Sequence, residues 1–473
     1  MPHKPLRCMF ILGCMLALVG YLCPQALGQV APAGRRLYDE QLRVELARQQ
    51  AAAKQIGLDG GGWFSFALFD YEDDDAGRHR TLRQYELRLW GNYTVAGVHT
   101  FYVRGLVGFD DWNGGDNPNA SRRDNDFKEP TVERAWYRFD YSRLVRNRTG
   151  RDPDVGLSVR IGRDYYDIGS GLVLALPLDA VNFTVNLRNW KLTGLFGATI
   201  HDTPNIDESA AVADSMDRIF YGGEIRYDGF SRHQPYVFVL IQDDHTGKDG
   251  GPAQSYQYDS QYFGVGSGGS ILLANLRYAT ELVFQTGRGY AEGTTTGREK
   301  VQAMAFDILL EYLFEVAKHP KITFEYLFGS GDADRRLSST STIGGNQPGT
   351  KDEAFNAFGF RDTGLALAPR VSNLHIFQLG VSGFPLEQCK LFRKMEVGTK
   401  VYFYCKDRAG GAISDIQATR SSTWVGWEWD VFCNWRVTSD VSLTVRYGLF
   451  RPGAAYPGQG IRHFLYTGLT YSF

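Results

Sequence analysis

Two hydrophobic periods divide the chain. Over residues 35–57 (RRLYDEQLRVELARQQAAAKQIG), Leu37, Leu42, Val44, Leu46 and Ile56 recur near helical spacing, which predicts one amphipathic helix. After Gly60 the period becomes two. VNFTVNLRNW (181–190) sets Val181, Phe183, Val185 and Leu187 against Asn182, Thr184, Asn186 and Arg188. ILLANLRYATELVFQ (271–285) sets Leu276, Tyr278, Leu282 and Phe284 against Asn275, Arg277, Glu281 and Gln285. MAFDILLEYLFE (304–315) and STWVGWEWDVFCNW (422–435) repeat the pattern, with Asp307, Glu311 and Glu315 in one and Glu428 and Asp430 in the other on the polar face. A sandwich also buries apolar strand faces. Here the aromatic load and the strand length favour lipid outside and water inside, so the pattern predicts a transmembrane β-barrel.

The connections carry the same message. About eighteen strands are predicted, an even number as bacterial single-chain barrels have. Every second connection is short: Ala96-Gly97, Asn189-Trp190, Gly266–Ser270, Lys318–Pro320 and Val437–Asp440. The others, 113–129, 202–218, 244–253, 288–300, 330–369, 407–419 and 452–460, are long and polar. Short turns belong in the periplasm and long loops outside. The chain ends on FLYTGLTYSF, where Leu465, Thr467, Leu469, Tyr471 and Phe473 form one outward stripe. Such a strand resembles the C-terminal signal read by the barrel-assembly machinery of Gram-negative outer membranes. It would close on the first strand.

Composition narrows the class further. The chain has 473 residues, 14% of them aromatic, 54 glycines and a net charge of -2. Aromatics with glycine suit strands and turns, and the near-neutral charge argues against a nucleic-acid partner. The single long apolar run lies at the start, in MPHKPLRCMFILGCMLALVGYLC, where Lys4 and Arg7 precede an apolar core over 8–22 and Ala26-Leu27-Gly28 follows it. It reads as a signal peptide over 1–28, with a lead-in carrying the helix over 29–59 and the barrel over 60–473. The lead-in could be a periplasmic leader, a plug or a partner helix. Of six cysteines, Cys389, Cys405 and Cys433 lie beyond the signal, with no CxxC, so neither a disulfide framework nor a zinc site is expected. No cofactor is expected.

Few motifs point to chemistry. Gly264–Gly269 fits GxGxxG, but no helix pattern follows, and it reads as a tight turn. The carboxylates Glu428 and Asp430 share a lumenal face. Paired carboxylates can cleave glycosides, but in a barrel they more often balance arginines on the opposite wall. The basic residues expected to touch cargo are Arg88, Arg134, Arg138, Arg160, Arg163, Arg188 and Arg226, with Glu428 and Asp430 as counter-charges. SVRIGRDYYDIGSGLVLALPLDAVNFTV (158–185) is the most informative stretch: a strand, a glycine-rich turn, then apolar VLALPLDAV. An apolar loop between barrel strands would aggregate in water. Folding inward would bury it and narrow the pore, with Arg160 and Arg163 at the throat. An extra lipid-facing hairpin is the other reading.

Four stretches resemble the alginate-export family of outer-membrane barrels: RIGRDYYDIGSGLVLALPLD (160–179), FEYLFGSGDADRR (324–336), FNAFGFRDTGLALAPRVSNL (355–374) and WVGWEWDVFCNWRVTSDVSLTVRYGLFRPG (424–453). The resemblance spans residues 60–473. It implies an 18-stranded barrel and, in the best-known members, a basic constriction that passes an anionic polysaccharide. The expectation is therefore a monomeric channel set in outer-membrane lipid, without catalysis, carrying an acidic, alginate-like polysaccharide out of the periplasm. A general or sugar-uptake porin is the alternative, and a barrel-borne hydrolase a third.

Overall fold

The structure is a computed structural model and describes residues 56–72, 79–117, 124–200, 206, 217–246, 257–291, 297–335, 337–338, 346–458 and 460–473. The period-two segments form eighteen antiparallel strands. In chain order these are β1 (Ile56–Glu72), β2 (His79–Val95), β3 (His99–Trp112), β4 (Asn125–Asp140), β5 (Val155–Ile168), β6 (Leu174–Leu187), β7 (Trp190–Thr199), β8 (Arg218–Tyr227) and β9 (His233–Asp244). They continue as β10 (Asp259–Ser270), β11 (Leu276–Gly289), β12 (Glu299–Leu313), β13 (Lys321–Gly329), β14 (Leu374–Gly383), β15 (Met395–Lys406), β16 (Trp424–Arg436), β17 (Val441–Pro452) and β18 (Arg462–Ser472). Each strand pairs with its sequence neighbours, and β1 pairs with both β2 and β18, so the sheet closes on itself. Closure leaves the sheet without a free edge strand, which a span through lipid requires.

One short helix, α1 (Tyr141–Thr149), fills the connection between β4 and β5. Asp140 caps it by accepting from the Arg143 N–H, and Gly150 ends it at φ 70°. The wall itself starts earlier than the sequence pattern suggested. Ile56–Asp59 belong to β1, paired with Asn92–Val95 of β2, and not to the lead-in. The rest of the expected helix, and the expected signal peptide, lie outside the described residues.

The two faces of the wall differ as expected for lipid outside. Phe101, Val103, Ile161, Phe196, Val237 and Phe284 stand exposed on the outer face. Aromatic pairs mark its two rims: Trp190 with Tyr227, ring centroids 4.6 Å apart, near the short turns, and Phe328 with His375, at 4.8 Å, near the long loops. Such girdles sit at the membrane–water interfaces. The predicted turn at Gly264–Gly269 is instead the interior of β10, and the chain reverses at Ile271–Asn275. The glycines make room for large lumenal rings of β9. A Cβ on Gly264 would stand 2.1 Å from Phe238, and one on Gly266 2.4 Å from Tyr236.

Inside the barrel lie two apolar cores made by loops that turn inward. The first begins where β5 and β6 leave the wall. β4 pairs with β5 only as far as Ala135–Arg163, and β7 with β6 only as far as Thr199–Leu178. Beyond those points the two strands of the hairpin 164–177 pair with each other and no longer with β4 or β7. It departs at Gly162, whose φ is 126° and whose Cβ would meet the Ala135 carbonyl oxygen at 2.2 Å, so a side chain cannot stand there. Tyr166, Ile168, Leu174, Leu176 and Leu178 then pack against lumenal Leu195, Phe220, Phe238, Leu240, Tyr262 and Val283. The apolar stretch is thus a hairpin rather than a loop, and it folds inward. Its tip is held by wall carboxylates: Gly169 N–H donates to Glu224 at 3.0 Å and Ser170 N–H to Glu281 at 2.6 Å.

The second core forms where the β13–β14 connection crosses the lumen. Phe358 exchanges backbone hydrogen bonds with the hairpin, donating to Val173 and accepting from Ala175. Leu367 then joins Tyr402, Tyr404, Val425, Phe450, Ile413, Ala455 and Tyr456 in a buried cluster beside β14–β17.

Candidate channel lining

Inward loops divide the lumenal wall into a covered part and an open part. On the open part, β2–β5 carry a row of arginines. They face inward because each occupies the parity opposite to an exposed apolar residue: Arg88 beside Leu89, Arg104 beside Val103, Arg160 beside Ile161. Arg88 Nε lies 3.0 Å from Glu133 and its Nη1 2.7 Å from Glu86. Arg104 Nε lies 2.7 Å from the other Glu133 oxygen. Arg134 and Arg160 share the two oxygens of Asp164, at 2.8 and 2.5 Å. The guanidinium groups also rest on rings: Arg104 over Trp63 at 5.5 Å and Arg160 over Trp136 at 4.8 Å.

Register brings like charges face to face twice. Arg104 stands opposite Arg134, and Arg138 opposite Arg160. Like charges directly across a strand pair repel. In the first pair Glu133 and Asp164 offset the repulsion. In the second, Asp164 reaches Arg160 only. Arg138 makes no ion pair among the described residues, and its Nε is buried without an acceptor.

Beneath the hairpin lies a cavity of about 440 Å³. Arg160, Lys191 and Arg226 line it with Asp167, Glu224 and Asp228, together with Asn182, Thr184, Thr193 and Gln234. Arg226 is steadied by Glu224, Nε to Oε1 at 2.9 Å, and by the Tyr236 ring, 4.4 Å from its guanidinium carbon.

The covered part holds the acids. Glu428 is fully buried and accepts backbone N–H groups from Leu365, Ala366 and Leu367 at 2.5, 2.7 and 2.8 Å. Tyr404 adds a donor at 3.2 Å. Asp430 is buried beside it, and its Oδ1 has no hydrogen-bond partner. Arg361, from the crossing segment, pairs with Asp307 at 2.5 Å and donates to the Ser170 carbonyl at 2.8 Å. Burial works against its charge, but Asp307, Glu325 and Glu281 outweigh that and hold its pKa above the ordinary arginine value. Asp362 pairs with Lys400 and accepts from Tyr402.

The structure therefore sorts the nine residues expected at the pore. Arg88, Arg134, Arg138, Arg160 and Arg226 line the lumen. Arg163 does not. It sits on the outer face at the hairpin's departure, bound to both oxygens of Asp179 at 2.9 Å and to the Val132 carbonyl at 3.0 Å. One residue of parity separates it from Arg160. Arg188 is also displaced, because it forms the β6–β7 turn at φ 52° and is exposed there. Glu428 and Asp430 face inward but are sealed under loop residues, so they are anchors for a loop and not counter-charges in open water. Sequence reasoning passed over Arg104, although the alternation Thr100, Tyr102, Arg104 marks it as lumenal. It also missed Arg361, which has no period to reveal it.

The family model described as alginate export matches residues 199–468, more than half of the chain. The chain belongs to the alginate-export family. Solved structures similar to it are outer-membrane barrels. Acinetobacter baumannii OccAB1 shares 12% identity at a TM-score of 0.54, covering 88% of this chain and 97% of that one. Pseudomonas aeruginosa OccK8 (OprE) shares 12% at 0.52, covering 88% and 98%. Pseudomonas aeruginosa OpdK, solved with vanillate, shares 12% at 0.53, covering 88% and 98%. At such identity the likeness is one of fold. No curated protein matches. The alginate-export barrel is an outer-membrane channel, with its apolar outer face in lipid, and not an enzyme.

Proposed function

We propose that this channel passes an anionic polysaccharide from the periplasm to the exterior, and that Arg88, Arg134, Arg138, Arg160 and Arg226 contact the cargo. The observation that carries the reading is the Arg138–Arg160 pair: two like charges set opposite each other on the lumenal face, with Asp164 bound to Arg160 and no ion pair at Arg138 among the described residues. A uronate carboxylate fits that gap, since a guanidinium fork matches carboxylate geometry. The neighbouring acids keep each contact weak enough for release, as conduction requires. Near an effective dielectric of 20, one such contact is worth about 4 kcal/mol, and an aqueous lumen screens it further.

The test is the double variant Arg138→Glu/Arg160→Glu in planar bilayers at low salt. Block of the current by uronate oligomers should weaken, and anion preference should fall. Unaltered block would remove the arginine pair from the cargo path and the polymer reading with it. The volume of the cavity favours a second reading, uptake of a single small acid, because about 300–1,000 Å³ is the range of small-molecule sites. That reading expects block by the monomer to equal block by the oligomer at matched carboxylate concentration.

A further inference from the structure

The acids on the covered wall share one lid. Asp307 of β12, Glu325 of β13, and Glu428 and Asp430 of β16 all point inward and are all buried. What buries them is the segment 356–372, which crosses the lumen and uses four kinds of contact. Arg361 pairs with Asp307. Backbone N–H groups of Leu365–Leu367 surround Glu428. Asp362 occupies Lys400 and Tyr402. Leu365 and Ala366 press on Gly448, where an added Cβ would stand 2.8 Å from Leu365 and 2.9 Å from Asp430.

Charge then decides what this lid does. Uncovered and ionised, the four wall carboxylates against Lys400 would amount to three net negative charges. The crossing segment contributes Arg361, Asp362 and Arg370, so it brings little net charge of its own. Its effect is to take those carboxylates out of contact with water and ions. The arginines of β2–β5 stay in the lumen. A barrel whose wall sequence is of mixed sign is thereby left with a basic open surface.

We propose that the segment 356–372 determines ion selectivity: by covering the β12–β16 carboxylates it makes a lumen of mixed sign anion-preferring. This rests on the chain being a channel and not on which polymer it carries. It gives the segment a role distinct from narrowing the pore, because narrowing alone would not change the sign of the preferred ion.

The geometry supplies the experiment. The Ser330 carbonyl accepts from both Phe355 N–H, at 2.9 Å, and Asn373 N–H, at 3.1 Å. The two ends of the segment therefore meet, and residues 357–371 can be replaced by two glycines without stretching the chain. Reversal potentials are read in planar bilayers under a salt gradient. The excised barrel should conduct more, and its chloride-to-potassium permeability ratio should fall on the order of tenfold at low salt. Adding Asp307→Asn, Glu325→Gln, Glu428→Gln and Asp430→Asn to the excised barrel should restore the anion preference while the larger conductance persists. An excised barrel with the parent's preference overturns the proposal, and so does failure of the neutral set to restore it. The same four substitutions in the intact chain give the answer if excision prevents assembly. Covered acids should leave the reversal potential where it was, and a shift toward anions would show that they already face the pore. Because the probes are small ions, this outcome is independent of polymer block.

Discussion

Gly62 and Phe473 close the barrel by exchanging two backbone hydrogen bonds, Gly62 N–H to Phe473 O at 2.9 Å and Phe473 N–H to Gly62 O at 3.0 Å. The last residue of the chain is thus part of the seam. Next to it Phe64 stands opposite Tyr471 and Phe66 opposite Leu469. Removing Phe473, or changing Tyr471 and Phe473 to Ser, should leave β18 with an open edge and block assembly. Heat-modifiable mobility of membrane-inserted protein reports this, and parental amounts would refute it.

The alternation of connections fixes orientation. Tags inserted after Gly115 or after Gly349 should be reached by antibody on intact cells, while tags between Ala96 and Gly97 or after Thr438 should be reached only after permeabilisation. Labelling of the short turns on intact cells would invert the barrel.

Arg163 and Asp179 form a bidentate pair on the outer face. Arg163→Glu should weaken the departure of the hairpin but leave ion preference unchanged, in contrast to Arg160→Glu. A selectivity shift of equal size in both variants would place Arg163 in the lumen after all.

Leu178 is fully buried between the hairpin and the wall. Leu178→Ala should cost about 2–5 kcal/mol in local packing. The loss should appear as a noisier, larger conductance and a lower unfolding midpoint, with assembly intact. A quiet channel of parental conductance would mean that the hairpin does not set the width.

Arg218 and Asp244 lie 3.0 Å apart with both side chains excluded from water. Neutralising one member of a buried ion pair removes a charge-assisted contact that water cannot replace there, at a cost of about 3–5 kcal/mol. Asp244→Asn should therefore lower the denaturation midpoint clearly more than Asp152→Asn, whose partner Arg146 is exposed. Equal midpoints would show that water reaches the buried pair.

Much of this fold was written in the alternation of side chains. Period two against a lipid solvent leaves each strand only one orientation, so residues such as Val181 and Asn182, or Trp429 and Glu428, declare their faces without knowledge of any neighbour. The count of strands, the side of each connection and the closing C-terminal stripe follow from that local rule. The bounds of β10 did not, since Gly264–Gly269 carries side chains only at Val265 and Ser267, on one face, and on the other face its glycines lie against the Tyr236 and Phe238 rings. Tertiary structure alone decided which lumenal charges remain in water. Arg160 and Glu428 read alike in sequence, as charges on an inward face. Whether such a charge meets an ion depends on what crosses the lumen above it, and residues 356–372 are irregular, without a period that could place them. Their path is fixed by contacts from strands far away in sequence, Asp307, Lys400 and Glu428 among them. For that reason the position of the wall was legible in the chain and the electrostatics of the pore was not.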